Sequence, residues 1–137
     1  MDVMGYLERA KAWAPIEAET AATVDRIFRT QFVDEAEVNR QIADSRPRIE
    51  RHLREVREYK PRSEDVERIH GEYLKAWERL LAGYDAIQDG FSTGDYTKLA
   101  AGREGLDAWR GSIVWVADEL RELALRLHVD PSSGAVS

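Results

Sequence analysis

The stretch VERIHGEYLKAWERLLAGYDAIQDGF, residues 66–91, decides the fold of this chain. Its apolar side chains recur three or four residues apart, which is the spacing of one face of an α-helix. The pattern predicts a long helix with one continuous apolar face. The residues of that face are Val66, Ile69, Tyr73, Trp77, Leu80, Leu81, Tyr84, Ile87 and Phe91.

A second stretch of the same kind, residues 96–127, follows after a short segment. The segment contains Gly90 and Gly94, and glycine readily takes the left-handed conformation that ends a helix. Asp95 comes next and has a side chain suited to cap the following helix. Because the connection is short, the two helices are predicted to pack antiparallel against each other.

The first segment of the chain, residues 1–33, also has helical periodicity. It is interrupted by Pro15, which lacks the amide hydrogen that a helix interior needs. The helix must therefore bend there, or end and begin again with Pro15 at its first position. The sequence predicts an N-terminal helix that is kinked or split at this residue.

A further helix is predicted between Asp34 and about Tyr59. Asp34 and Glu37 have the spacing of a capping box, in which side chains bond to the free amides of the first turn. Pro47 lies inside the helical pattern without shifting its phase, which favours a kinked but continuous helix. Ser63 is then predicted to cap the next helix.

Four amphipathic helices joined by short polar turns predict an all-α fold. The expected architecture is an antiparallel up-down-up-down four-helix bundle with a kinked or split N-terminal helix. One helical-bundle domain is expected over residues 1–129. A flexible C-terminal tail is expected over residues 130–137, which are rich in Pro, Ser and Gly.

The composition narrows the classes of function. The 137 residues include no cysteine, which excludes disulfides, thiolate metal sites and a cysteine nucleophile. The formal net charge of -6 disfavours nucleic acid as a partner, and no apolar run is long enough for membrane insertion. No export signal is evident, so a soluble cytoplasmic protein is predicted, or an exported one if such a signal has been removed. The abundance of arginine over lysine indicates a bacterial source.

Glu67 and His70 have the three-residue spacing of metal ligands in di-iron and di-manganese bundles. Such a centre needs this pair twice, and no other histidine here has a glutamate three residues before it. The sequence therefore predicts no metal and no cofactor, with His70 hydrogen-bonded to a neighbouring helix. A small-molecule or single-metal site near His70, Tyr73 and Trp77 is kept as an alternative.

Two arginine–histidine pairs occur, Arg46 with His52 and Arg121 with His128. Their spacing resembles the nuclease motif of HEPN domains, which are also small helical bundles. The resemblance implies a guanidinium that holds the scissile phosphate and an imidazole that transfers the proton. It implies an HEPN-type RNase as a further alternative.

A row of small residues lies along the last helix: Ala101, Gly105, Ala108 and Ser112. Glycine inside a helix costs about 1 kcal/mol relative to alanine, so a compensating close contact is expected. We predict that this small-residue row is the closest helix contact in the molecule. The close approach of another backbone or of a bulky ring is expected there, and the partner could be an aromatic side chain of this chain, a ligand or a second subunit.

No catalytic motif stands out, so the sequence assigns no catalytic residue. The first hypothesis is a non-enzymatic interaction or scaffold module that binds a protein partner or self-associates. The alternative is a bundle that binds a small molecule or a metal. A dry, packed core favours the first hypothesis, and a cavity lined by aromatic rings favours the second. The residues predicted to bind a ligand are His70, Tyr73, Trp77, Gly105 and Trp109.

Overall fold

The computed structural model describes residues 2–127 and contains, in that range, four α-helices and no β-strand. The predicted all-α arrangement of four helices is therefore confirmed. The tail predicted for residues 130–137 lies outside the described residues. The helices are α1 (Asp2–Arg29), α2 (Glu35–Glu58), α3 (Glu64–Thr93) and α4 (Tyr96–Arg126).

The helix ends follow the capping residues that the sequence predicts. At the start of α2, α3 and α4, a side-chain oxygen accepts a hydrogen bond from a first-turn amide that has no partner within the helix. α3 ends at Gly94, whose φ of 69° lies in the left-handed region that disfavours side chains. The capping pairs are Asp34 with Glu37 (3.1 Å), Ser63 with Val66 (3.2 Å) and Asp95 with Thr97 (2.9 Å).

Pro15 and Pro47 both lie inside helices. α1 extends through Pro15, and α2 extends through Pro47 as one continuous helix, as the sequence predicts. Between α1 and α2 the backbone passes through Gln31 and Phe32, whose φ angles of 52° and 60° are both positive. This left-handed pair redirects the chain without a glycine.

The core lies among the four helices, and the apolar face of α3 is its main component. Trp77 of α3 and Trp109 of α4 are fully buried and meet edge to face, with ring centroids 5.2 Å apart. Of the nine apolar positions predicted for α3, only Leu81 and Phe91 are half-buried, and the other seven are buried. The helical period read from the sequence therefore identifies the core face of α3 correctly.

α3 and α4 are in backbone contact at Gly83 and Gly102. A Cβ atom placed on Gly102 would lie 2.7 Å from the carbonyl oxygen of Gly83 and 2.5 Å from Cγ1 of Ile87. Packed atoms do not approach so closely, so glycine alone fits at this position. Gly105 borders the same contact, because a Cβ there would lie 3.2 Å from Cα of Gly83.

The predicted small-residue row lies only partly at this contact. Ala101 and Ala108 are exposed and Gly105 is half-buried, whereas Gly102, outside the row, is buried. The prediction that the row is the closest helix contact is therefore wrong in its register. The reason is that Leu106 takes a core position, and Gly102 lies four residues before it on the same helix face.

Within residues 2–127, no helix combines the length and the apolar character needed to cross a membrane. The polar side chains between the apolar positions of each helix account for it, because they interrupt every apolar run.

Candidate functional site

A cavity of about 250 Å³ lies between α1 and the second half of α4, and α3 contributes one side chain to it. α1 supplies Tyr6, Ala10, Trp13 and Glu17 to its lining. These residues recur three or four positions apart, so they share one face of the helix. The cavity therefore depends on how α1 docks against the other helices.

Three aromatic side chains form one part of the lining: Tyr6, Trp13 and Tyr73. The ring of Trp13 stacks on that of Tyr73, with centroids 5.2 Å apart and an angle of 6° between the planes. Tyr6 meets Trp13 edge to face, with centroids 6.2 Å apart. Because each ring is held by its neighbours, this aromatic wall is formed before any ligand arrives.

Aliphatic side chains form a second part of the lining. Leu7 comes from α1, and Ile113, Val116 and Leu120 come from one face of α4. Leu7, Val116 and Leu120 are buried, and Ile113 is half-buried. The cavity therefore offers an apolar surface to the body of a ligand.

Charged groups are the third part of the lining. Lys11 and Arg121 are exposed, and Arg121 pairs with Asp118 at 3.2 Å. Glu17 is half-buried and, among residues 2–127, is the only acidic residue of the lining. The cations therefore lie in water at the mouth, while the carboxylate lies among the aromatic rings.

A chain of hydrogen bonds joins Glu17 to the interior. The hydroxyl of Tyr73 donates to Oε2 of Glu17 at 2.7 Å. Nε2 of His52 lies 2.9 Å from the same hydroxyl, whose hydrogen is already used, so Nε2–H must be the donor. This fixes the tautomer of a buried imidazole and orients the ring of Tyr73 in the aromatic wall.

Burial sets the protonation of these groups. It raises the pKa of the Glu17 carboxyl above its ordinary value, and the hydrogen bond from Tyr73 partly opposes that shift. Burial lowers the pKa of His52 to about 4, so this ring is neutral near pH 7. Burial also raises the pKa of Tyr73, and the charge of Glu17 adds to the effect.

His70 supports the aromatic wall from behind. Its Nε2 lies 2.7 Å from the carbonyl oxygen of Val56, which only accepts, so Nε2–H donates. Its Nδ1 therefore accepts from the hydroxyl of Tyr6 at 2.9 Å. The predicted hydrogen bond from His70 to a neighbouring helix is confirmed, since Val56 belongs to α2.

The residues that the sequence predicts as ligand-binding lie at different depths. Tyr73 lines the cavity, and His70 lies one layer behind it. Trp77 and Trp109 are in the core, and Gly105 borders the α3–α4 contact. The structure therefore brings one of the five predicted residues directly into this cavity.

Sequence reasoning missed the contribution of α1, namely Tyr6, Trp13 and Glu17. The spacing of these residues was the available signal, because they share one helix face. The interruption at Pro15 weakened that signal, and nothing in the local sequence shows that this face meets Tyr73.

Among the described residues, His70 and both members of the first arginine–histidine pair have partners within the fold. Glu67 is exposed, whereas both ring nitrogens of His70 are engaged. Within residues 2–127, no three His, Asp or Glu side chains are grouped as metal ligands would be. In the first arginine–histidine pair, Arg46 binds Asp85 at 2.7 Å while His52 is buried beside Tyr73. The second pair includes residue 128, which lies outside the described residues.

Comparison with known proteins gives no family. No protein-family model matches the chain, and neither a curated protein nor a solved structure matches it. The function must therefore be inferred from the chemistry of the cavity and of the surface.

The buried histidines make stability depend on pH. Burial lowers the pKa of His52 from 6.5 to about 4, and it lowers the pKa of His70 as well. The unfolded chain then binds protons more tightly than the folded one. The contribution of His52 to the free energy of unfolding is therefore fully present above about pH 6.5 and is lost as the pH falls toward 4, and His70 acts in the same direction. Glu17 acts in the opposite sense: its raised pKa adds stability at low pH, which is lost as the pH rises through that pKa.

We therefore expect wild type to lose on the order of 2 kcal/mol more stability than His52→Gln between about pH 7 and pH 4.5. Glutamine keeps a donor for Tyr73 and does not titrate, so the difference isolates His52 from His70 and Glu17. Urea unfolding at the two pH values measures it. Equal losses in the two proteins would contradict the assignment of a neutral, buried imidazole.

Proposed function

We propose that this chain is a non-enzymatic binding protein for a small organic molecule, held in the cavity between α1 and α4. The observation that carries the proposal is a preformed cavity with an aromatic wall, an aliphatic wall and one inner carboxylate. Its volume of about 250 Å³ is close to the lower end of ligand pockets, roughly 300 Å³. A cavity of about 150 Å³ holds benzene, so a molecule with one ring or a short chain is the expected size.

Binding, without catalysis, is supported by the state of the polar groups around the cavity. The hydroxyls of Tyr6 and Tyr73 are hydrogen-bonded, and burial holds the Tyr73 pKa far from neutral pH. The ring of His52 is packed between Trp13 and Trp77, with centroids 5.3 Å and 4.7 Å away, and its pKa is about 4. A proton-transfer residue works best when its pKa lies near the ambient pH, and the pKa values of Tyr73 and His52 both lie far from it.

Filling the cavity is expected to abolish binding. Ala10 is half-buried in the lining, and Ala10→Leu places three carbon atoms in the space a ligand needs. Ala22→Leu adds the same atoms at an exposed position of α1 and serves as the matched control. We expect phenylethanol, phenethylammonium or phenylpropionate to raise the melting temperature of wild type and Ala22→Leu, and to bind Ala10→Leu at least about tenfold more weakly.

Thermal melts and the change in tryptophan emission measure this binding. A wild-type protein that binds none of the three probes at millimolar concentration would contradict the proposal. Equal binding by Ala10→Leu and Ala22→Leu would also contradict it, because the probes would then occupy another surface.

A second candidate function is the interaction module that the sequence favours. Its support is an open groove beside the α1–α2 turn, lined by Phe32, Val33, Tyr96 and Leu99. Val33 is 85% exposed and Tyr96 is 82% exposed, and large apolar groups exposed side by side mark interaction surfaces. Sedimentation at two protein concentrations tests self-association through this groove, and a monomer at both concentrations counts against a second copy as the partner.

The architecture that we propose for this function is a single domain of up-down-up-down topology. Contacts in reversed order along neighbouring helices support it. Pro15, which leaves the carbonyl oxygen of Lys11 without its helical donor, is proposed to bend α1 toward the cavity. The contacts between α1 and α2 are Trp13 with His52 and Glu19 with Arg48. Those between α2 and α3 are His52 with Tyr73 and Arg46 with Asp85. Those between α3 and α4 are Arg68 with Glu119 and Gly83 with Gly102.

A further inference from the structure

We propose that the molecule bound between α1 and α4 is a small organic cation, an arylammonium or alkylammonium whose charged group meets Glu17. The proposal rests on the binding function proposed above and adds the chemical class of the ligand. Three features of the cavity carry it: the pairing state of Glu17, the aromatic wall and the aliphatic wall.

Glu17 lacks a cationic partner among residues 2–127. Two other acidic side chains of α1 do have one, since Glu19 pairs with Arg48 at 3.5 Å and Asp25 pairs with Arg110. The hydrogen bond to Glu17 comes from the neutral hydroxyl of Tyr73 and occupies Oε2. Oε1 therefore remains as an acceptor in the cavity lining, on a half-buried carboxylate that gains from a charged donor.

The aromatic wall offers a ring-lined surface to the body of such a ligand. Tyr6, Trp13 and Tyr73 line the cavity together with Glu17. Trp13 and Tyr73 stack face to face, so each ring covers one face of the other. An aryl group packs well against such a cluster of rings, and a carboxylate ligand would meet repulsion from Glu17.

The aliphatic wall determines the chemistry of the uncharged part of the ligand. Leu7, Val116 and Leu120 are buried and offer no hydrogen bond to a polar ligand body. A hydrocarbon group fits that surface, because its binding removes apolar area from water and buries no polar atom without a hydrogen bond. A bare metal ion does not fit, since Glu17 is the only acidic side chain that the described part of the chain contributes to the lining.

Lys11 and Arg121 repel a cationic ligand, and the strength of that repulsion depends on how exposed the two side chains are. Both are exposed at the mouth, where water and salt screen their charge, and Arg121 is also paired with Asp118. Glu17 is half-buried, so its field in the cavity is screened less. The half-buried carboxylate therefore sets the charge preference of the cavity.

The experiment compares three probes of similar shape: phenethylammonium, phenylethanol and phenylpropionate. Calorimetry at about pH 8 keeps the ammonium protonated and the Glu17 carboxylate charged. We expect phenethylammonium to bind wild type about tenfold more tightly than phenylethanol, with phenylpropionate the weakest. Glu17→Gln should abolish the preference for the ammonium, whereas Glu8→Gln, the same change at an exposed position of α1, should preserve it.

A second variant tests the charge preference independently, in case Glu17→Gln does not fold. Lys11→Gln changes an exposed residue and should tighten ammonium binding about twofold while weakening phenylpropionate. Equal or tighter binding of phenylethanol or phenylpropionate by wild type would overturn the cation assignment and leave the binding function standing. Failure of wild type to bind any of the three probes would overturn the binding function itself.

Discussion

Replacing Trp77 by alanine is expected to lower the free energy of unfolding by about 3 to 5 kcal/mol. Trp77 is fully buried, and its ring lies 4.7 Å from His52 and 5.2 Å from Trp109, measured between centroids. α2, α3 and α4 therefore all lose contacts when the ring is removed. The surrounding rings cannot collapse fully into the space, and a cavity in the centre of the bundle remains.

The matched control is Trp115→Ala, which removes the same side chain from the surface of α4. Trp115 is 36% exposed, and the guanidinium of Arg68 lies 5.5 Å from its ring centroid. We expect a loss of about 1 kcal/mol or less. Urea unfolding followed by circular dichroism measures both variants, and similar losses for the two would show that α3 does not place Trp77 in the core.

The sequence was sufficient for the helices because their signals are local. The bounds of α2, α3 and α4 follow from capping residues that act within one turn, such as Ser63 and Asp95. The core face of α3 follows from a period that continues for about seven turns, so single exceptions such as Leu81 do not obscure it. Both kinds of signal need no knowledge of the neighbouring helices.

The rotation of α4 about its axis was not predictable in the same way. Small residues occupy adjacent positions, including Ala101 and Gly102, and adjacent positions differ by about 100° around a helix. The choice between them depends on the fit of Leu106 and Trp109 into the core opposite α3. That fit depends on tertiary packing, and the spacing of residues within α4 does not determine it.

The candidate site was still less accessible from sequence. Its hydrogen bonds join residues far apart in the chain, Tyr6 to His70 and Glu17 to Tyr73. The pattern identified Tyr73 because α3 has a strong period, but α1 has a weaker period that Pro15 interrupts. The chemistry of the cavity arises where α1 docks, which local spacing does not determine.

The second large effect is expected for Gly102→Leu, which should lower the free energy of unfolding by about 3 kcal/mol or more. Even a Cβ atom at this position would lie 2.5 Å from Cγ1 of Ile87 and 2.7 Å from the carbonyl oxygen of Gly83. The carbonyl belongs to the α3 backbone and cannot turn aside as a flexible side chain does. α3 and α4 must therefore separate, which disrupts the packing of Leu106 and the core around it.

Gly111→Leu is the matched control, because a Cβ there meets nothing within 4 Å. That substitution should raise stability by about 0.5 to 1 kcal/mol through helix propensity alone. Gly105→Leu should fall between the two, since its Cβ would lie 3.2 Å from Cα of Gly83. Thermal melts at two protein concentrations separate the causes: a loss that changes with concentration would place the contact in a subunit interface. An unchanged or raised melting temperature for Gly102→Leu would instead mean that α3 and α4 are not in backbone contact.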